Sequence, residues 1–248
     1  MAVIAGNWKM HMGPADTRAF FGALDLSEVG AHHEMLLFPP AVSLPVAATS
    51  PDREARVQLG VQNVHWEEQG AFTGECSVPM AGEAGADFVL IGHSERRHVF
   101  GETDEEVALK IGATLRGGLT PVVCVGETLD ERRAGRLEEV LLRQLDAALT
   151  VLAGHEARFL IAYEPVWAIG TGETATPDDA SSAHAVLRAR MEEALGLAVA
   201  ARTPILYGGS VKPGNAAELM SAPDVDGVLV GGASMTADSF ASIAAAAG

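Results

Sequence analysis

The chain has 248 residues, 48% of them hydrophobic, with a formal net charge of -16 and an isoelectric point near 4.8. That length fits one large α/β domain or two small ones, with ample hydrophobic residues for a core, and the acidic balance without a basic stripe argues against nucleic acid and anionic membrane as partners. No apolar run approaches the ~18 residues that span a bilayer, and the start, MAVIAGNWKM, lacks the basic region and cleavage site of an export signal. Cys76 and Cys124 lie far apart, as suits a reducing compartment, so a soluble cytoplasmic enzyme is the expectation.

Short apolar runs alternate with capped or amphipathic stretches along the whole chain. The strand candidates are 3–6, 35–38, 57–63, 88–92, 121–126, 159–163, 205–208 and 225–230. Helical patterns fill most of the gaps, among them 94–99, 104–115, 137–152, 177–195 and an alanine-rich tail from Ala237. Repeated strand-then-helix units imply parallel strands. Eight of them in about 250 residues match a single closed (β/α)8 barrel of eight parallel strands over 1–248, without linker or second domain. A doubly wound open sheet fits less well, because no strand is followed by GxGxxG and GxxxxGK[ST] is absent.

In such a barrel the loops after the strands' carboxyl ends form one rim, where chemistry gathers. Asn7, Trp8 and Lys9 follow the first strand, His93, Ser94 and Glu95 the fourth, and Glu164 the sixth. Gly209 and Ser210 follow the seventh strand, and Gly231 and Gly232 the eighth. Groups able to transfer protons, stabilise charge and bind anions thus reach one rim from five places. In 163–172, YEPVWAIGTG, Glu164 ends an apolar run, Pro165 biases it toward extended backbone, and a glycine-flanked apolar loop follows. That layout suits a base under a lid, or else a surface glutamate before an ordinary turn. Glycines after the last two strands let N–H groups close on a dianion at the barrel's usual phosphate site, although tight turns use them too. His93 opens the 94–99 segment, whose positive end disfavours imidazolium. The loop 64–77, with Trp66, Phe72, Thr73 and Glu75, is long beside the ~2–6 residues of an ordinary barrel connection. Trp8 alternates away from Asn7 and Lys9 and reads as packing, and Cys124 reads as a core thiol beneath the rim. His32 and His33 precede a strand at its amino end and read as a solvated loop, so no metal site is expected.

The strings GNWKM (6–10), QNV (62–64), GAFTGE (70–75), IGHSERR (91–97), YEPVWAIGTG (163–172), YGGSV (207–211) and LVGGAS (229–234) resemble the triosephosphate isomerase family, in its order and over essentially the whole chain. The resemblance implies a TIM barrel that interconverts dihydroxyacetone phosphate and D-glyceraldehyde 3-phosphate through an enediolate, a step of glycolysis and gluconeogenesis. It implies no metal and no organic cofactor. Glu164 would be the base, His93 a neutral hydrogen-bond donor, Lys9 a fixed positive charge and Asn7 an amide donor. Glu95 would orient Lys9 or His93, or else pair with Arg96 or Arg97. Gly170, Ser210, Gly231 and Gly232, with Lys9, would bind the phosphorylated triose. Pro165, Val166, Trp167, Ala168, Ile169, Gly170, Thr171 and Gly172 would form the lid, with Ile169 and Leu229 pressing on Glu164. The resemblance further implies a homodimer through loop 64–77, with Thr73 near the partner's Asn7 and Lys9 and Glu75 pairing with the partner's Arg96. His11 and Met12 depart from the family's pattern after NWKM. A Schiff-base aldolase built on Lys9, or a non-catalytic barrel scaffold, are the alternatives. The first leaves the lid over Glu164 without a task, and the second has no need of Glu164 or His93.

Overall fold

The computed structural model describes residues 1–169 and 175–248. Strands β1 (Val3–Asn7), β2 (Glu34–Phe38), β3 (Val57–Val61), β4 (Phe88–Ile91), β5 (Thr120–Val125), β6 (Leu160–Tyr163), β7 (Ile205–Tyr207) and β8 (Gly227–Val230) close a barrel in chain order. Every neighbouring pair is parallel, and β8 returns to β1. This is the predicted (β/α)8 architecture.

Alternation along the strands builds two apolar layers. Val3, Ala5, Leu36, Phe38, Phe88, Leu90, Val122, Cys124, Leu160, Ala162, Leu206 and Leu229 form one buried cluster, which fills the barrel. The interleaved residues, such as Ile4, Leu37, Val89, Val123, Ile161 and Val228, join a larger cluster beneath the helices. Burial on both faces is why these strands read as continuous apolar runs. Gly60 of β3 leaves room for a neighbour, since a Cβ there would come within 2.3 Å of the Phe38 ring.

The boundaries differ from expectation where single residues intervene. β3 stops at Val61, Phe159 lies just before β6, and β8 begins at Gly227, where a Cβ would sit 2.0 Å from the Val3 carbonyl oxygen. The helices Ser94–Val99, Asp104–Arg116, Leu137–Leu152, Pro177–Leu195 and Ala237–Ala245 follow the predicted ranges. Thr103 with Glu106 and Thr176 with Asp179 cap two of them reciprocally, a device worth ~1 kcal/mol per cap. Shorter helices at Leu44–Ala48, Val78–Glu83, Leu129–Arg133, Leu197–Arg202 and Ala216–Met220 have too few turns to show a period. Among the described residues no helix is long and apolar enough to cross a membrane.

Trp8 packs as expected, fully buried edge-on against Phe20, with its Nε1 donating to the Ser234 carbonyl at 3.0 Å. His33 corrects the solvated-loop reading. It is buried, accepts from the Ala2 N–H at Nδ1 and lies 2.8 Å from the Gly248 carbonyl at Nε2, so it ties the two chain ends together.

His184, on the helix Pro177–Leu195, is also fully buried, edge-on to Tyr163 and 2.8 Å from the Asp224 carbonyl. Burial drives its pKa down to about 4. An unfolded histidine titrates near ~6.5, so between those values the unfolded chain binds a proton that the native one refuses. Stability from this site is therefore complete above about pH 6.5 and falls as the pH drops toward 4, by ~3 kcal/mol in all. Urea unfolding of wild type and His184→Gln should show wild type losing more stability between pH 7 and 4.5. Parallel losses would contradict this assignment.

Candidate active site

Strand phase aims the central carboxylate. Leu160 and Ala162 point into the barrel, so Glu164, two residues on, faces its mouth. Its N–H still continues the ladder, donating to the Val125 carbonyl at 2.8 Å. Beside it, Gly126 is indispensable, since a Cβ there would lie 1.8 Å from the Glu164 carbonyl oxygen. Gln144, buried on the helix Leu137–Leu152, clamps Gly126 from both sides, accepting its N–H at 2.8 Å and donating to its carbonyl at 3.1 Å.

His93 enters through a break in phase. Gly92 sits at φ +72°, a left-handed turn, after which His93 caps the helix Ser94–Val99. Arg97 holds this turn by donating to the Gly92 carbonyl at 2.8 Å and the Cys124 carbonyl at 3.3 Å, while ion-paired with Asp104. Lys9 has φ +51°, a conformation costing of order 1–3 kcal/mol for a residue with a Cβ. The surroundings hold it there: Asn7 Oδ1 accepts the Lys9 N–H at 3.0 Å, and Gln62 donates to the Lys9 and Phe38 carbonyls, each at 2.8 Å.

The polar groups converge. Glu164, 2% exposed, accepts the Ser94 N–H at 2.9 Å and its hydroxyl at 3.2 Å, and its Oε1 lies 3.0 Å from His93 Nε2. Burial alone would raise the Glu164 pKa, but His93 and the Ser94 amide outweigh it and hold the carboxyl below the usual range. Burial pushes His93 toward neutrality, and the Glu164 carboxylate reverses this, raising the imidazole in the present arrangement. One contact opposes the imidazolium. The Glu95 N–H donates to Nδ1 at 3.2 Å, which specifies the tautomer with its proton on Nε2. Once Glu164 moves away, its upward push goes with it, and the amide remains.

Lys9 Nζ lies 2.7 Å from Glu95 Oε1, while Glu95 Oε2 is 3.8 Å from His93 Nδ1. Of the readings open for Glu95, the structure therefore gives pairing with Lys9; Arg96 goes instead to Glu102 and Arg97 to Asp104. A cavity of ≈ 270 Å³ gathers Asn7, Lys9, His93, Glu164, Ile169, Gly209, Ser210, Leu229, Gly231 and Gly232. At Gly231 an added Cβ would approach Lys9 only to 3.5 Å, so the protein's own packing does not require glycine there, and the space opens to the cavity.

Of the lid, Pro165 lies at φ −65°, Val166–Ala168 form a 3-10 turn and Ile169 reaches the cavity; Gly170, Thr171 and Gly172 lie outside the described residues. Trp167 Nε1 donates to Glu127 at 2.8 Å, and the Tyr163 hydroxyl donates to the same oxygen at 3.1 Å. Burial raises the Glu127 pKa. Sequence reasoning passed over Glu127, Gly126, Gln144 and Lys212, the last of which also lines the cavity, and gave Arg97 only as an alternative partner of Glu95. Gly126 and Glu127 stand together in the GET string just after β5, and Lys212 directly follows the YGGSV string. Thr73 and Glu75 stand exposed, outside this cavity.

A closed (β/α)8 barrel that holds a carboxylate, an imidazole, an ammonium and a glycine-lined end in one carboxyl-rim cavity defines a barrel enzyme equipped to move protons beside an anion. A sequence profile described as triosephosphate isomerase matches residues 2–247. Among curated proteins, the triosephosphate isomerase of Solibacter usitatus is 50% identical over 243 residues, 97% of each chain. That of Alkalilimnicola ehrlichii is 49% identical over 99% of this chain and 98% of its own. That of Symbiobacterium thermophilum is 48% identical over 99% and 96%. The chain belongs to the triosephosphate isomerase family.

Proposed function

We propose that Glu164 performs the isomerisation that family membership assigns to this chain, the interconversion of dihydroxyacetone phosphate and D-glyceraldehyde 3-phosphate in glycolysis. The carboxylate removes the proton from one substrate carbon and returns it to the neighbour, since its two oxygens reach adjacent carbons with little motion. His93 donates from Nε2 to the oxygens of the enediolate as charge develops, and the Lys9 ammonium and Asn7 amide stabilise the same charge. Glu95 positions Lys9. Lys9 Nζ is engaged by Glu95 Oε1 at 2.7 Å, and a Schiff-base route through Lys9 would leave Glu164 and the lid over it without a task. Ser210, Gly231 and Gly232, joined by Gly170, take the phosphate, and Ile169 and Leu229 form the apolar wall that keeps water from the enediolate.

The observation that carries this reading is the meeting of Glu164 and His93 Nε2 at 3.0 Å in the cavity that also holds Lys9 and the glycine end. Conversion of D-glyceraldehyde 3-phosphate, followed through a coupled dehydrogenase, tests it. Turnover supports the reading, and a folded, phosphate-binding protein without turnover overturns it.

The working form is a cytoplasmic homodimer of single-domain chains, with no nucleic-acid or membrane partner, as the net charge of -16 favours. Loop 64–77 has the build of a preformed finger. His65 is stacked between Trp66 and Phe72, with ring centroids at 4.2 and 4.0 Å, and the His65 N–H reaches the Cys76 carbonyl at 2.8 Å to close the neck. A groove of ≈ 230 Å³ beside Lys9, edged by Gln62, Asn63, Arg96 and the exposed Met10 and Phe100, offers the matching socket. Light scattering at micromolar concentration should give about twice the 25.8 kDa chain mass, and Thr73→Arg should shift it toward one chain with loss of activity. A fully active wild-type monomer would contradict the dimer.

A further inference from the structure

Lysine is scarce in this chain, and its placement is uneven. Of the seventeen lysines and arginines only three are lysines, Lys9, Lys110 and Lys212. Lys110 is 4% exposed and committed to Glu102 and Asn63. The other two both line the ≈ 270 Å³ cavity. Lys9 is already matched by Glu95. Lys212 is exposed, follows Ser210 by two residues, and has no ion pair among those of the described residues. Its backbone is fixed, because the Lys212 N–H donates to Asn215 Oδ1 at 2.7 Å while Asn215 Nδ2 donates to the Ser210 carbonyl at 3.0 Å.

These facts bear on a problem that an acidic chain must solve. A dianion approaching a protein of net charge -16 is repelled at long range, and salt confines each charge's influence to ~8–10 Å. The groups within that distance of the cavity mouth therefore decide its sign. Glu95 cancels Lys9 and Glu164 adds a further negative charge. Lys212 brings a second ammonium to the cavity, where it opposes that negative charge beside the oriented amides of the glycine end.

We propose that Lys212 is a phosphate-recruiting residue of this site, a second ammonium that draws the phosphoryl group toward Ser210, Gly231 and Gly232 without taking part in proton transfer. The role deepens the isomerase reading and rests on it for the identity of the substrate.

Two measurements on Lys212→Gln test it: kcat/KM for D-glyceraldehyde 3-phosphate against ionic strength, and binding of inorganic phosphate by calorimetry, which needs no turnover. Arg202→Gln serves as a control, because it removes the same charge from an exposed position ahead of β7, at the opposite end of the barrel. At low ionic strength Lys212→Gln should lower kcat/KM by ~10-fold, with a flatter salt dependence, and should weaken phosphate binding by a similar factor. Lys212→Arg should restore both, and Arg202→Gln should change neither. Equal kcat/KM, salt dependence and phosphate affinity in Lys212→Gln and wild type would overturn the proposal while leaving the isomerase reading intact. An inactive wild type whose phosphate binding still depends on Lys212 would refute the isomerase reading and support this residue's role.

Discussion

Replacing Glu164 with Gln is expected to lower kcat by ~10²–10⁴-fold, the range that a positioned general base contributes. The change is close to isosteric. The carbonyl of the substituted amide still accepts the Ser94 N–H that now bonds Oε2 at 2.9 Å, so the fold and the parked position survive. What is lost is the basic lone pair. The new amide also faces the His93 Nε2 proton at the 3.0 Å contact, donor against donor, which pushes the side chain toward Ser94. Steady-state kinetics beside a thermal melt separates the two effects, with kcat collapsing while the melting temperature stays near wild type. Turnover within tenfold of wild type would remove Glu164 from the chemistry.

Gly126→Ala should do comparable damage by a different route. The new methyl would need the space 1.8 Å from the Glu164 carbonyl oxygen and 2.7 Å from its carbonyl carbon, both backbone atoms that cannot rotate aside. β6 must shift from β5 at the residue that carries the base. Overpacking of this kind costs ~1–3 kcal/mol or more, and a displacement of about 1 Å in a catalytic group can cost ~10²-fold in rate. Gln144, bonded to both polar groups of Gly126, resists relaxation on the other side. A lowered urea midpoint together with a large loss of kcat is the expected result. An alanine variant with wild-type stability and rate would show that the strand ends yield more easily than this packing implies.

The sequence displays the barrel because burial on both faces makes every strand an apolar run, and because long helices carry caps and periods. It displays Glu164 for a related reason: the phase set by Leu160 and Ala162 extends one residue past the strand. Other features depend on tertiary neighbours. Gly126 reads as the last residue of a strand candidate until the Glu164 carbonyl is placed against it. Glu127 carries no local signal, because its partners, Tyr163 and Trp167, come from the next unit of the barrel. Lys9 in a left-handed turn follows from Gln62, fifty-three residues away. The partner of Glu95 is open in the sequence among Lys9, His93, Arg96 and Arg97, and geometry selects Lys9. His33 looked solvated because nothing local shows that the chain's last residue comes back to meet it.

The central claim is that one carboxylate carries a proton between adjacent carbons, and isomerisation in heavy water tests it most directly. A carboxylic acid holding that proton exchanges it with solvent when the site opens or leaks, so D-glyceraldehyde 3-phosphate converted in D₂O should yield dihydroxyacetone phosphate that carries carbon-bound deuterium by proton NMR. Glu164→Gln should slow both turnover and the appearance of label by the same ~10²–10⁴-fold. Rapid wild-type conversion with no deuterium at either carbon would point to direct hydride transfer and contradict the proton-transfer account.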